Sequence, residues 1–429
     1  MLEACDLENR PLSTFLAMVC AGAVLSVPAS LYARQEPEAP LEAPPPANHR
    51  VLDVPAESSA SSTRDSDDVR MIDLWLRRDC GVSLEPVYYG EVFTNTRGGI
   101  STRGATQYEA LLDLPLTLDF DKMQLPLPGK FFLLAQNTHG RGLTEDFIGD
   151  FQVVSNIDSF DNIMQVSEYW WEIDVFDKSL AVRLGKQDVN SEFLVMELAE
   201  DFIQSSFGLS PSAGLPSYPN PSMAVLVLAQ LTKSATMKVG IWDGLGDGRT
   251  WGFSGNETTI TIGEFEYKYA LLNGCLPGAI DVGAVYFSGG NVSGQVFPSG
   301  HGYYVQTEQL VIRENPREEG DAQGLGAFAS YFPRFGNREF PITSVWGDFV
   351  AGIVYRGLIP CRDEDVVGSG VSWAKLSRDG TLQETVVEVF YKAQITPWMS
   401  IQPDLQYIAS PSGIYRDALA AGVRFEVGF

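Results

Sequence analysis

The residues with the most chemical capacity form a mixed set of carboxylates, arginines and one tryptophan. In the N-terminal half these are Glu91, Glu109, Asp113, Glu168, Trp170, Glu172, Asp174 and Arg183. Toward the C-terminus they are Asp348, Arg356, Asp404, Arg424 and Glu426. Carboxylates accept hydrogen bonds, and a guanidinium donates five N–H groups in a fixed fork. Such a set can do two kinds of work. A pair of carboxylates at a suitable separation hydrolyses glycosides. The same groups spread along a wall line a water-filled passage that binds weakly enough to let a solute leave. With 55 Asp and Glu residues, carboxylate pairs arise by chance and do not by themselves signal catalysis. His49, His139 and His301 are scattered, and no HExxH, GxSxG or phosphate-cradling loop occurs. The Gly-rich GLGDG (Gly244 to Gly248) follows Trp242-Asp243 and reads as a turn. No enzyme activity, metal or cofactor is expected.

These residues must be positioned, and their spacing says by what. After Gln107 the even positions are Tyr108, Ala110, Leu112, Leu114, Leu116 and Leu118, while Glu109, Asp113, Thr117 and Asp119 are odd. Glu168, Trp170, Glu172 and Asp174 share one parity, and Tyr169, Trp171, Ile173 and Val175 the other. Leu180, Val182 and Leu184 oppose Arg183 and Gln187; Val387, Val389 and Tyr391 oppose Glu384, Glu388 and Lys392. Ile401, Leu405 and Tyr407 oppose Gln402, Asp404 and Gln406. In the last stretch Leu419, Ala421, Val423, Phe425, Val427 and Phe429 oppose Arg424 and Glu426. A period of two is the signature of a strand with one apolar and one polar face.

About sixteen such segments follow one another. Their starts lie near Ser83, Arg103, Lys130, Ser167, Ser179, Met223, Thr236, Glu257, Ile280, Gly302, Gln323, Asp348, Val366, Thr381, Ser400 and Ala418. Most reach the length of about 9–11 residues that a membrane-crossing strand needs. Backbone groups in a bilayer are satisfied by strands only in a closed barrel. The expected fold is therefore all-β: a transmembrane antiparallel β-barrel of about 16 strands. One element breaks the pattern. Glu192 to Ile203, with Phe193, Val195, Met196, Leu198 and Phe202, reads as a short amphipathic helix. It opens a stretch to Tyr218 that suits a loop folded into the lumen. Lys186 falls on the apolar, lipid-facing parity, a costly place at mid-membrane.

Residues 1–33 read as an imperfect export signal, with Leu12 to Tyr32 mostly apolar but Glu3, Asp6 and Glu8 near the start. Residues 34–70, rich in Pro, Glu and Ser, read as a disordered linker, and the barrel is assigned to residues 71–429. The net charge of −25 argues against a nucleic-acid partner. Beyond Cys5 and Cys20, the cysteines at 80, 275 and 361 have no CxxC spacing, and their odd number leaves at least one without an internal partner.

The middle of the chain carries more than periodicity. GRGLTEDFIGDFQVVSNID (Gly140 to Asp158) is followed by SEYWWEIDVFDKSLAVRLGKQDVNSEF (Ser167 to Phe193) and FIQSSFGLSPSAGLPSYPNPSM (Phe202 to Met223). YYGEVFTNTRGG (Tyr88 to Gly99), YEALLDLPLTLDFDKM (Tyr108 to Met123) and TPWMSIQPDLQYIASPSG (Thr396 to Gly413) extend the series. In this order, over roughly Asp79 to Phe429, the chain resembles the carbohydrate-selective porins of Gram-negative outer membranes, the OprB-type family. The resemblance implies a sixteen-stranded barrel with an inward loop and passive diffusion of mono- or oligosaccharides. It also implies contact with outer-membrane lipid, and the family often assembles as homotrimers. The expected passage is lined by Glu91, Glu109, Asp113, Glu168, Trp170, Glu172, Arg183, Asp404, Arg424 and Glu426. It is more acidic than the family's arginine-associated constriction suggests. Two other functions fit the same residues: a wall-tethered structural protein without open conductance, and an exported sugar-binding β-protein.

Overall fold

The computed structural model describes residues 80–176, 179–244, 258–292, 295–314, 323–333 and 345–429. The assigned signal and linker, residues 1–70, lie outside them.

A short strand β1 (Val82–Leu84) leads into the wall. The wall strands are β2 (Val87–Gly99), β3 (Thr106–Asp119), β4 (Lys130–Gly140), β5 (Met164–Val175), β6 (Leu180–Gln187), β7 (Ser222–Thr232), β8 (Ala235–Gly244), β9 (Thr258–Leu271) and β10 (Leu276–Phe287). A small hairpin of β11 (Gly290–Val292) and β12 (Gln295–Phe297) interrupts the series. The wall resumes with β13 (Gly300–Arg313), β14 (Gly324–Pro333), β15 (Gly347–Arg356), β16 (Val366–Lys375), β17 (Gln383–Thr396), β18 (Met399–Ala409) and β19 (Arg416–Gly428). Each wall strand pairs antiparallel with its sequence neighbour, β13 taking up the edge of β10. The last strand pairs with the first, Arg424 opposite Glu91 and Gly428 opposite Val87, so the sixteen wall strands form a closed ring. A pair of stacked sheets would leave edges; this arrangement leaves none.

The faces are inverted relative to a water-soluble sheet. Glu91 is 1% exposed while its neighbour Val92 is 44% exposed. Val225, Val239, Ile241, Val282 and Leu405 likewise face outward. Apolar groups outward and polar groups toward the lumen match the alternation in the sequence. The segments near Lys130, Met223 and Gln323, whose alternation is weakest, are wall strands too.

Connections of very different length lie at the two ends. At one end, 233–234 and 397–398 are tight turns. At the other, 141–163 and 188–221 are long, and both are largely buried inside the ring. The second was expected to fold inward; the first was not. Apolar anchors seat both. Phe193, Leu194, Leu209 and Leu215 pack on Leu226, Trp242, Ile260, Phe287 and Tyr304 of the wall. Phe202 and Phe207 stack 4.2 Å apart and meet Phe328 edge-on. Leu143, Ile148 and Val154 lie against Phe93, Val386 and Ile408. Room for the Phe202–Phe207 stack comes from Gly370, where a Cβ would overlap Phe207 and sit 2.8 Å from Phe202.

The helix expected over Glu192–Ile203 is not formed. That stretch holds only a single 3-10 turn at Glu197–Ala199, and the α-helical turn comes later, at Ser205–Gly208. The reason is competition for backbone donors. The N–H groups of Leu194, Leu198 and Ile203 go to wall carboxylates rather than to carbonyls one turn back. Lys186 does lie on the outer face, opposite Tyr169, near the end of β6. Its Nζ donates to the Val166 carbonyl at 3.2 Å, beside a bulge opposite Leu134 and Ala135. Its charge thus sits one residue from the end of β6, next to the 188–221 segment.

Candidate functional site: a lumen narrowed by two inward segments

The wall meets the two inward segments mainly through carboxylates that accept backbone N–H groups. Glu384 takes Phe151 N at 2.7 Å and Gln152 N at 2.8 Å, one on each oxygen. Glu388 takes Ile203 N at 2.7 Å and Gln204 N at 3.1 Å. Glu308 takes Leu198 N at 2.6 Å, and Glu264 takes Leu194 N at 3.2 Å. Asp348 takes Ser212 N and the Ser210 hydroxyl. Glu168 takes Asp188 N at 3.0 Å. A charged acceptor makes a stronger bond than a carbonyl, so these contacts fix loop backbone that has no ladder of its own. Asp188 in turn collects Asn190 N, Tyr218 N and the Ser217 hydroxyl. Burial, with Glu168 beside it, holds the Asp188 carboxyl well above the usual carboxylate range despite these donors.

Inward-facing cations are tied to carboxylates. Arg183 binds Glu172 at 2.7 Å and reaches Glu192 of the second segment at 2.8 Å. Its guanidinium lies 4.1 Å over the Trp170 ring. Phe132 stacks on Trp170 at 4.8 Å, so the indole is flanked by Arg183 and Phe132. Lys130 adds a second contact to Glu172 at 2.8 Å. Lys238 pairs with Glu264, and Lys392 bridges Asp201 of the second segment and Glu426 of the wall. Arg424 donates to Glu91 at 2.6 Å and to Ser155 and Asn156 of the first segment.

The residues singled out from the sequence therefore separate into groups. Arg183, Trp170 and Glu172 form one cluster with Glu192. Glu91, Glu109 and Arg424 sit on one rung of β2, β3 and β19 beneath the first segment. Asp113, bonded to Gln136, is buried, as are Glu168 and Asp348. Asp404 is also buried, near Glu388 and Gln406. Glu426 stays partly open, 27% exposed beside Lys392. Asp174 is exposed at the end of β5, and Arg356 pairs with Glu364 in the turn after β15. Residues not singled out are Glu264, Glu308, Lys238 and the segment's own Glu192, Glu197 and Asp201. Glu384, Glu388 and Lys392 had the right parity but no assigned role. Among the described residues no group of three or more His, Cys, Asp or Glu is arranged to hold a metal.

A family model described as carbohydrate-selective porin, OprB family, matches residues 99–429. Porin B of Pseudomonas aeruginosa is 24% identical over 413 residues, spanning 81% of this chain and 88% of that protein. A putative porin, QuiX of Acinetobacter baylyi, is 27% identical over 195 residues, 38% of this chain and 42% of that protein. The high-pH structure of Pseudomonas putida OprB superimposes with a TM-score of 0.72 at 23% identity, covering 82% of this chain and 95% of that one. The low-pH structure of the same protein gives a TM-score of 0.56.

Proposed function

The chain belongs to the carbohydrate-selective porin, OprB family, and is an outer-membrane porin for sugar diffusion; from that premise we propose which side chains the solute meets. The passage runs along the water-exposed edge of the second inward segment. Glu192, Glu197 and Asp201 border it on the loop side. Arg183, Lys392 and Glu426 border it on the wall side.

The observation that carries this reading is the pair of loop-to-wall ion pairs, Arg183–Glu192 and Lys392–Asp201, in which the loop carboxylates are partly open to water. Each offers a donor and an acceptor a few ångströms apart. A sugar hydroxyl both donates and accepts, so it can replace water at such a pair at little net cost. The contact is weak, as passage requires. Trp170 acts as the base under Arg183 rather than as an open stacking face. The excess of carboxylates makes the passage cation-favouring. Outward-facing apolar residues contact lipid, and the porin assembles as a homotrimer. The family is one of channels, and passage needs no covalent chemistry.

Purified protein in planar bilayers tests the reading. Stepwise conductance that falls on adding sugar is expected; steady conductance untouched by any mono- or disaccharide contradicts it.

A further inference from the structure

The seat of the first inward segment contains an imbalance that sugar passage does not explain. Glu91 and Glu109 are directly opposite on β2 and β3, both facing inward and both buried. Asp158 of the first segment approaches them from above. A Cβ on Gly142 would overlap Asp158 Oδ2 and come 3.2 Å from Glu109 Oε1, so the missing side chain leaves these two carboxyls facing one gap. A cavity of about 20 Å³ is lined by Glu109, Asp158, Glu145 and Arg141, room for about one water. Arg424 is committed to Glu91 Oε2 at 2.6 Å and to Asn156 at 2.8 Å. Glu91 Oε1 is buried with no donor.

We propose that Glu91, Glu109 and Asp158 form a proton-operated latch that seats the C-terminal half of the 141–163 segment against the barrel wall. Of these carboxyls Glu91 takes the Arg424 guanidinium, while Asp158 has the exposed Arg141. With all ionised, the seat holds like charges side by side in a place that water scarcely reaches, an unfavourable state. With protons on Glu109 and Asp158, each becomes a donor, and Glu91 Oε1 gains a partner it otherwise lacks. The surrounding charges do not cancel the excess. Asp404 on β18 and Glu145 on the segment add negative charge; Arg141 on the segment is 62% exposed and paired with Asp146. Tyr218 of the second segment presents a neutral phenol that donates to the Ile157 carbonyl.

The pH window follows from Asp158, which lies outside the wall strands. Burial chiefly, with Glu91 and Glu145 adding to it, raises its carboxyl from 3.8 to about 7, against the Phe160 amide and Arg141. A group raised in the seated state stabilises that state fully below its free value. The contribution is lost as pH rises through the raised one. The latch is therefore closed in acid and released near neutrality. Asp150 on the same segment, buried beside Glu384, adds further negative charge near Asp158, so the control for the latch lies in the wall rather than in the segment.

Hydrogen exchange on the full-length protein in detergent tests this, after correction for intrinsic rates. Peptides covering 155–161 should exchange about tenfold faster or more at about pH 8 than at about pH 5, while those of wall strand β16 change little. In the Glu109→Gln/Asp158→Asn double variant the 155–161 protection at about pH 8 should stay at the acid level, while each single variant keeps part of the pH-dependent loss. Heat-modifiable gel mobility confirms that each variant barrel is closed. Three results would overturn the proposal: no pH effect in the wild type, the full pH-dependent loss in the double variant, or a double variant equally unprotected at both pH values.

Discussion

Replacing Arg183 by alanine should make the channel more cation-selective, by an amount the geometry sets. Arg183 is held by Glu172 at 2.7 Å and Glu192 at 2.8 Å. Glu172 keeps Lys130 at 2.8 Å when the guanidinium is removed, whereas Glu192 loses that partner. The passage thus gains one uncompensated negative charge. For an ion passing at about 6 Å in a water-like medium the change is about 0.7 kcal/mol, favourable for a cation and unfavourable for an anion. The cation-to-anion permeability ratio should therefore rise about tenfold at low salt and less as screening increases. The assay is the reversal potential across a planar bilayer under a potassium chloride gradient. Arg183→Lys retains the charge and should move the potential little. An unchanged potential in Arg183→Ala, or a shift toward anions, would refute the placement of this side chain beside the path.

Other expectations follow from the anchors. Glu388→Ala strands the buried N–H groups of Ile203 and Gln204, each costing about 1–3 kcal/mol, so exchange in 188–221 and current noise should both increase. Equal exchange in mutant and wild type would show that the carboxylate is not the anchor. Phe202→Ala removes a ring packed on Phe207, Phe328 and Phe390 and should destabilise the second segment by about 3–5 kcal/mol, read as earlier protease cleavage within it. Trp170→Ala takes away the platform under Arg183, worth about 0.5–2 kcal/mol, and should weaken sugar block of the current a few-fold without closing the channel.

The wall was legible because its two sides impose opposite demands on alternate residues. Val366 and Lys130 begin strands at the positions where the alternation begins, and the other starts fall within a few residues. The parity also placed Glu91, Glu109, Arg183 and Arg424 on the inner face. What alternation could not give is which inward carboxylates meet solute and which meet backbone. That depends on contacts between Ile203 and Glu388, 185 residues later, or Leu194 and Glu264, 70 residues later. The same distant acceptors remove the local bonds that a helix over Glu192–Ile203 would need. The inward course of 141–163 was hidden for a similar reason: its N–H groups are satisfied by Glu384, far along the chain.

The most direct test of the account is the swelling of liposomes carrying the purified protein. In the proposed passage carboxylates border the path and the cations are already paired. A neutral hexose should therefore enter faster than a hexuronate of the same size at equal osmotic strength. Equal rates, or faster entry of the uronate, would contradict it.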